Sequence, residues 1–228
     1  MVRSHPSSGN RSTATARLLS WVVSCGSGVF LGMGVSGTTI FLMNRWLGDT
    51  LDDDARMLAL SIMLLAGVAE GGLLGFFQWR VLRKLLPGMT AKSWIGITIL
   101  SAVISWGLGM MPINFFEQQV TEPTVSSPLW QVLLGVVGMG LVLGALFGLM
   151  QNMVLKHFLP NQWQWPLYNM LGWGVAMGWV FLGTTLVQPE WSLPSIITTG
   201  AIVGGLGGLS LGGITAIFLV SKGGLNLT

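Results

Sequence analysis

The sequence predicts an all-α integral membrane protein with six transmembrane helices. Three observations predict this class: 51% of the 228 residues are hydrophobic and only 8% are charged, long apolar runs recur along the chain, and the charges between these runs separate by sign. Soluble domains carry about a quarter charged residues, so water is not the main solvent here. A hydrocarbon core about 30 Å thick needs roughly 20 apolar residues per helix, so this length suits six helices with short loops.

The long apolar runs set the predicted spans, each long enough to cross a bilayer. The spans cover residues 18–43, 57–82, 94–111, 129–155, 167–187 and 195–220. All nine prolines lie in the tail, in loops or at the edges of spans, where a missing backbone N–H does not interrupt a helix. The chain therefore divides into a basic tail at 1–17 that is expected to be disordered, a six-helix domain at 18–220 and a short tail at 221–228.

The charges between the spans predict that both termini lie in the cytoplasm. Cytoplasmic loops of membrane proteins are rich in Lys and Arg. With the N-terminus inside, only Arg45 and Arg56 among the 11 basic residues fall outside, and so do all acidic residues except Glu70. An odd number of spans would destroy this separation.

The 11 tryptophans support the span ends. Indole rings favour the headgroup region, where eight of the tryptophans are expected: Trp21, Trp46, Trp79, Trp94, Trp130, Trp163, Trp165 and Trp191. Trp106, Trp173 and Trp179 lie deeper and are expected to pack between helices.

A pattern that recurs within the chain predicts an internal duplication. Gly71, Gly75, Gln78, Val81, Leu82, Leu86 and Pro87 reappear at the same spacing as Gly144, Gly148, Gln151, Val154, Leu155, Leu159 and Pro160. The sixth span carries a reduced version: Gly208, Gly212 and Thr215. The chain is therefore predicted to form three tandem helical hairpins, which are parallel repeats with the glycine-bearing helices toward the middle.

Glycines four residues apart lie on one face of a helix and let a neighbouring backbone approach closely. This spacing occurs in the first, second, fourth and sixth spans, for example at Gly28 and Gly32. Dense helix packing is the expected result, and functional glycine hinges are the alternative.

The repeated segments resemble those of a known family. The Gly-xxx-Gly-xx-Gln-xx-Val-Leu segment ending in Arg83-Lys84-Leu85-Leu86-Pro87, its second copy ending in Leu159-Pro160, and the final Gly212-Gly213-Ile214-Thr215 resemble uncharacterised multi-pass membrane proteins of cyanobacteria. The resemblance covers residues 67–220 and implies a multi-pass topology and a cyanobacterial source. The location it implies is the bacterial plasma membrane or the thylakoid membrane.

Glu70 is the acidic residue that falls inside a predicted span. A carboxylate in hydrocarbon is costly without a partner or water, and no Lys or Arg lies at matching depth in the sequence. We therefore expect Glu70 to be protonated, hydrogen-bonded to a hydroxyl or an indole across the bundle, or exposed to a wet cavity. A proton-linked or cation-binding site is one interpretation, and a neutral acid that links helices is the other.

Gln78 and Gln151 occupy equivalent repeat positions, with Thr215 as the third member, so the three side chains are candidates for one polar cluster. Interhelical hydrogen bonds of about 0.6 to 2 kcal/mol each would explain them as structural. A binding site for a lipid headgroup, a pigment or a small polar solute is the alternative.

Basic residues cluster at the ends of the second and fourth spans and just after them: Arg80, Arg83, Lys84 and Lys156. They are expected to contact anionic lipid headgroups or a protein partner. Nucleic acid is not an expected partner, because the few basic residues lie at the ends of membrane spans.

No enzymatic sequence motif is present, so we expect no catalysis and predict no cofactor. The single cysteine, Cys25, and the lack of a metal-ligand spacing predict no metal site. The expected function is that of an auxiliary, scaffold or assembly component of a larger membrane complex, with homo-oligomers as a further possibility. A small proton- or cation-linked transporter or channel that uses Glu70 is the alternative, although unbroken spans with one charged residue differ from the usual transporter architecture.

Overall fold

The structure, a computed structural model, describes residues 8–47, 53–111, 128–188 and 191–221. They form six α-helices: α1 (Ser8–Leu47), α2 (Asp53–Leu85), α3 (Ala91–Met111), α4 (Leu129–Leu155), α5 (Trp165–Leu186) and α6 (Leu193–Ser221). A short 3-10 helix at Gln162–Gln164 precedes α5. All of the helices except α5 are long and apolar enough to cross a membrane, which confirms the predicted all-α, multi-pass membrane class. In α5, Tyr168, Asn169 and three tryptophans lower the mean hydropathy.

Helix α1 begins well before the predicted first span. The sequence predicts a disordered tail up to residue 17, but the structure is helical from Ser8 onward. Once the apolar span has formed a helix, each further residue adds a hydrogen bond at little cost, and residues 11–17 contain neither Gly nor Pro to stop it. The predictions for residues 1–7 and 222–228, and for the acidic loop residues Asp49, Asp52, Glu117, Glu122 and Glu190, lie outside the described residues.

The helices pack in chain order as a closed ring. Each helix contacts the helices before and after it, and α6 returns to pack against α1. The contact between α3 and α4 is the smallest of the six. The ring is therefore packed most loosely between these two helices.

The two ends of the ring differ in charge. Helices α2 and α4 end, and α3 and α5 begin, at one end, where Arg83, Lys84 and Lys156 lie. We call this the basic end. At the opposite end α2 begins with Asp53 and Asp54, which suit the positive end of the helix dipole.

Buried side chains fill the ring in two layers, and all six helices contribute to each. The layer nearer the basic end is dominated by aromatic rings: Trp21, Trp94, Trp165 and Phe218. The layer toward the middle of the bundle contains two residues from α5 and one from each other helix: Val29, Leu74, Ala102, Phe147, Trp173, Ala176 and Leu211. The centre of the bundle is therefore packed with side chains at both depths.

The two Leu-Pro turns at the basic end close in the same way. Leu86 N donates to Leu82 O at 2.7 Å after α2, and Leu159 N donates to Leu155 O at 2.9 Å after α4. The first turn also contains Gly88, whose φ of 92° strongly favours glycine.

Candidate functional site

Three buried indoles donate hydrogen bonds to the three polar residues that the sequence repeat singles out. Each bond joins an odd-numbered helix to an even-numbered neighbour: Trp94 Nε1 to Gln78 Oε1 at 3.2 Å, Trp165 Nε1 to Gln151 Oε1 at 3.0 Å, and Trp21 Nε1 to Thr215 Oγ1 at 3.0 Å. We call these six residues the tryptophan layer. Because the third bond links α1 to α6, the helix pair that closes the ring has the same contact as the pairs joined by turns.

The side chains of the tryptophan layer are buried. None of its six side chains is more than 3% exposed. The Trp165 ring lies edge-on to Trp21 at a centroid distance of 6.1 Å and to Trp94 at 6.4 Å. These three rings therefore face the interior of the bundle and do not contact the headgroup region around it. An indole near a helix end packs inward when a buried oxygen on the next helix can accept its N–H.

The two glutamines meet directly, as the sequence pattern suggests. Gln151 Nε2 donates to Gln78 Oε1 at 3.4 Å and to Thr98 Oγ1 at 3.2 Å. Gln78 Nε2 lies 3.5 Å from Cys25 Sγ. Thr215 is linked to this pair through Trp21 and the neighbouring Trp165 ring, not by a direct hydrogen bond in the described structure.

The odd-numbered helices share a second pattern, which the repeated glycine segments do not reveal. The residue four positions after each tryptophan of the layer has a small polar side chain: Cys25 follows Trp21, Thr98 follows Trp94, and Asn169 follows Trp165. Each faces a repeat glycine. An added Cβ would lie 2.9 Å from Cys25 Cβ at Gly212, 3.1 Å from Thr98 Cβ at Gly75, and 3.1 Å from Asn169 Cβ at Gly148. The spacing Trp-xxx-Cys/Thr/Asn was the available signal.

Glu70 lies further from the basic end and links three helices. Its Oε2 accepts hydrogen bonds from Ser36 Oγ on α1 at 3.2 Å and from Trp106 Nε1 on α3 at 2.9 Å. Gly32 makes room for it, since a Cβ there would lie 2.7 Å from Glu70 Cγ. A hydroxyl and an indole are the kinds of donor that the sequence predicts, and their placement favours an interhelical role for the buried carboxyl group.

The basic cluster lies on the surface at the basic end. Arg80, Arg83, Lys84 and Lys156 are all exposed. Arg83 Cζ stands 4.8 Å from the centre of the Trp79 ring, and Arg80 Cζ 5.9 Å from that of Phe76, within cation–π range. The aromatic rings thus hold two guanidinium groups against the outer face of α2. Their predicted contact with headgroups or a partner stays a prediction.

The chemistry of the tryptophan layer is that of a structural network. Its indole N–H groups and amide oxygens pair with one another, and its rings fill the space between them. Comparisons of this chain with protein-family models, curated proteins and solved structures found no match. The resemblance to multi-pass proteins of cyanobacteria therefore stays a prediction.

Proposed function

We propose that this chain is a non-enzymatic, six-span membrane protein that serves as an auxiliary, scaffold or assembly component of a larger membrane complex. This proposal rests on the exposed first half of α4. The centre of the bundle is filled with side chains. Such a bundle interacts with other molecules through its outer surface.

The first half of α4 is largely uncovered by the other helices. Residues 129–135 are all exposed, and Leu129, Trp130 and Leu134 are each at least 60% exposed. A Cβ added at Gly135 or Gly138 would meet no atom within 4 Å. In a membrane, helix faces that lack side chains let another helix approach closely, so this segment suits a helix of a partner protein.

Transport through Glu70, the alternative function, has weaker support. The carboxyl oxygen already accepts two hydrogen bonds from neighbouring helices. Between Glu70 and the basic end lie the middle layer, where the Phe147 and Trp173 rings are 4.9 Å apart, and then the tryptophan layer. A solute would have to displace packed aromatic rings in both layers.

We also propose that the three predicted hairpin repeats correspond to the pairs α2–α3, α4–α5 and α6–α1. The equivalent indole hydrogen bonds and glycine contacts of the three pairs support this assignment. The third pair joins the first and last helices of the chain, so its two helices are not consecutive in sequence.

Both ends of the chain are proposed to lie in the cytoplasm, with α5 as the fifth of six spans. Reporter fusions in a bacterial host should therefore place the loop containing Asp52 and the turn after Arg83 on opposite sides of the membrane. Fusions that report the same side for both positions would overturn the six-span topology.

The assembly role predicts that α4 variants leave the complex. We expect the wild-type protein, extracted in mild detergent, to migrate on a native gel with a larger assembly. The double variant Gly135→Leu with Gly138→Leu should be released, because two new side chains keep a partner helix at a distance. Gly213→Leu on α6 is the matched control, since a Cβ there also meets no atom within 4 Å.

Two outcomes would contradict the assembly role. The wild-type protein could migrate alone while deletion of its gene leaves every membrane complex intact, or the α4 variant and the Gly213→Leu control could behave alike. Copies that carry two different tags would show whether the partner is a second copy of this chain.

A further inference from the structure

An apolar groove of about 430 Å³ runs along α1 on the outside of the ring. Helix α1 forms its floor, with α2 on one side and α6 on the other, through Val23, Ser27, Phe30, Phe77 and Leu209. Val23 and Phe30 are 56% and 42% exposed, so the groove faces the lipid and not the interior of the bundle.

The groove spans about one leaflet of the membrane. Its α1 residues extend from Val23 to Leu31, a length of about 12 Å at 1.5 Å per residue, against about 15 Å for half of the hydrocarbon core. Leu31 lies near the middle of the predicted first span. The groove therefore begins near the basic end and ends at mid-membrane.

Three exposed cations on α1 and α2 lie between the groove and the basic end. Arg80 and Lys84 follow Phe77 by three and seven residues, which places them on the same face of α2. Helices α1 and α2 are antiparallel, with Gly28 opposite Leu74 and Cys25 opposite Gln78. Continuing this register brings Arg17 of α1 within one helical turn of Lys84.

We propose that the groove and these cations form a site for one anionic phospholipid. An acyl chain lies in the groove and the phosphate lies between Arg80, Lys84 and Arg17. The sequence places no acidic residue in the loops at this end, so the site attracts a negative headgroup without competition from a carboxylate.

The extent of the groove favours a lipid over a helix of another protein. An acyl chain of one leaflet ends at mid-membrane, as the groove does, whereas a transmembrane helix would continue to the opposite surface. The cations at the mouth match the phosphate depth of the same leaflet. This site depends on the membrane location of the bundle and not on its assembly role.

Lipid retention by the purified protein tests the site. Protein in detergent micelles is titrated with phosphatidylglycerol or phosphatidylcholine, and the bound lipid is counted by native mass spectrometry. We expect one phosphatidylglycerol molecule to be retained in preference to phosphatidylcholine. The double variant Arg80→Gln with Lys84→Gln should weaken phosphatidylglycerol binding by about thirtyfold, from the usual contribution of two basic residues near an anionic phosphate.

Two single variants of equal charge provide the control. Lys84→Gln should weaken binding by about fivefold, whereas Lys92→Gln removes an exposed cation from α3 at the same end of the bundle and should change binding by less than about twofold. Equal weakening in both single variants would mean that only net charge matters, and would overturn the site. Equal retention of the two lipids by the wild-type protein would overturn it as well.

The groove itself is tested without any change of charge. Ser27→Trp fills the groove and should release the bound lipid, whereas Val142→Trp, at an exposed position on α4, should not. Unchanged retention in Ser27→Trp would show that no chain occupies the groove. Displacement of the lipid by glycerol phosphate at equal concentration would mean that the headgroup alone is recognised, which also contradicts the proposal.

Discussion

Replacing Gly144 with leucine is expected to separate α4 from α5 and to lower the free energy of unfolding by about 3 kcal/mol or more. A Cβ at Gly144 would meet the Asn169 carbonyl oxygen and the Met170 Cα atom. These are backbone atoms, which cannot rotate away as a side chain does, so the whole helix has to move. Unfolding of the purified protein in mixed micelles with increasing SDS, followed by tryptophan fluorescence, measures the effect.

Two further variants isolate the close contact as the cause. Gly138→Leu introduces the same side chain on the same helix, where a Cβ meets no atom within 4 Å, and should change stability by less than about 1 kcal/mol. Gly144→Ala should fall between the two, at about 1 to 3 kcal/mol, and remains measurable if the leucine variant does not fold. Equal destabilisation by leucine at 138 and 144 would show that the helix contact is not the cause.

The same close contact recurs in the other two helix pairs. A Cβ at Gly71 would lie 2.7 Å from Ile99 Cα, and one at Gly208 would lie 2.9 Å from Gly26 Cα. These glycines therefore serve close packing of backbones, which favours the packing interpretation of the sequence pattern over the hinge interpretation.

The helices themselves could be predicted because their signal is local. A span needs a run of apolar residues of fixed length, and such runs are visible in the sequence without knowledge of any neighbour. The beginning of α1 at Ser8 could not be predicted in this way. Whether a polar segment continues a helix depends on weak propensities and not on burial.

The tryptophan layer was predictable only in part. Gln78 and Gln151 could be predicted as a pair because they recur in equivalent positions. The indoles that donate hydrogen bonds to them could not be predicted. An indole near a helix end has two favourable environments, the headgroup region and a buried hydrogen bond, and a single sequence does not distinguish them. The partners of Glu70 show the same limit: the class of donor followed from chemistry, but Ser36 and Trp106 required knowledge of which helices adjoin α2.

The pairing of α1 with α6 required the three-dimensional structure. The repeated sequence pattern begins in the second span, so α1 carries no glycine-glutamine segment of its own. Its equivalence to α3 and α5 lies in Trp21 and Cys25, which match Trp94 with Thr98 and Trp165 with Asn169. Two residues four positions apart are too few to identify a repeat in an apolar sequence.

Replacing Gln151 with methionine is the second change with a large expected effect, a loss of about 2 to 3 kcal/mol in the free energy of unfolding. Gln151 accepts the Trp165 N–H and donates to Gln78 and Thr98. Its removal leaves the buried Trp165 N–H without its acceptor and takes one hydrogen bond each from Gln78 and Thr98, which remain bonded to Trp94. Each unpaired buried group costs about 1 to 3 kcal/mol, and the similar volume of methionine limits any effect of a cavity. The same unfolding titration measures the loss.

Asn152→Met is the matched control at the adjacent position. In the described structure Asn152 Oδ1 is buried without a hydrogen-bond partner, so losing this amide should be neutral or slightly stabilising. The double variant Gln151→Met with Trp165→Phe then tests the network itself. Removing both partners leaves no unpaired indole N–H, so the double variant should lose less stability than the sum of the single variants. Additive losses would show that the two side chains contribute through packing alone, and the hydrogen bond between α4 and α5 would then have no energetic role.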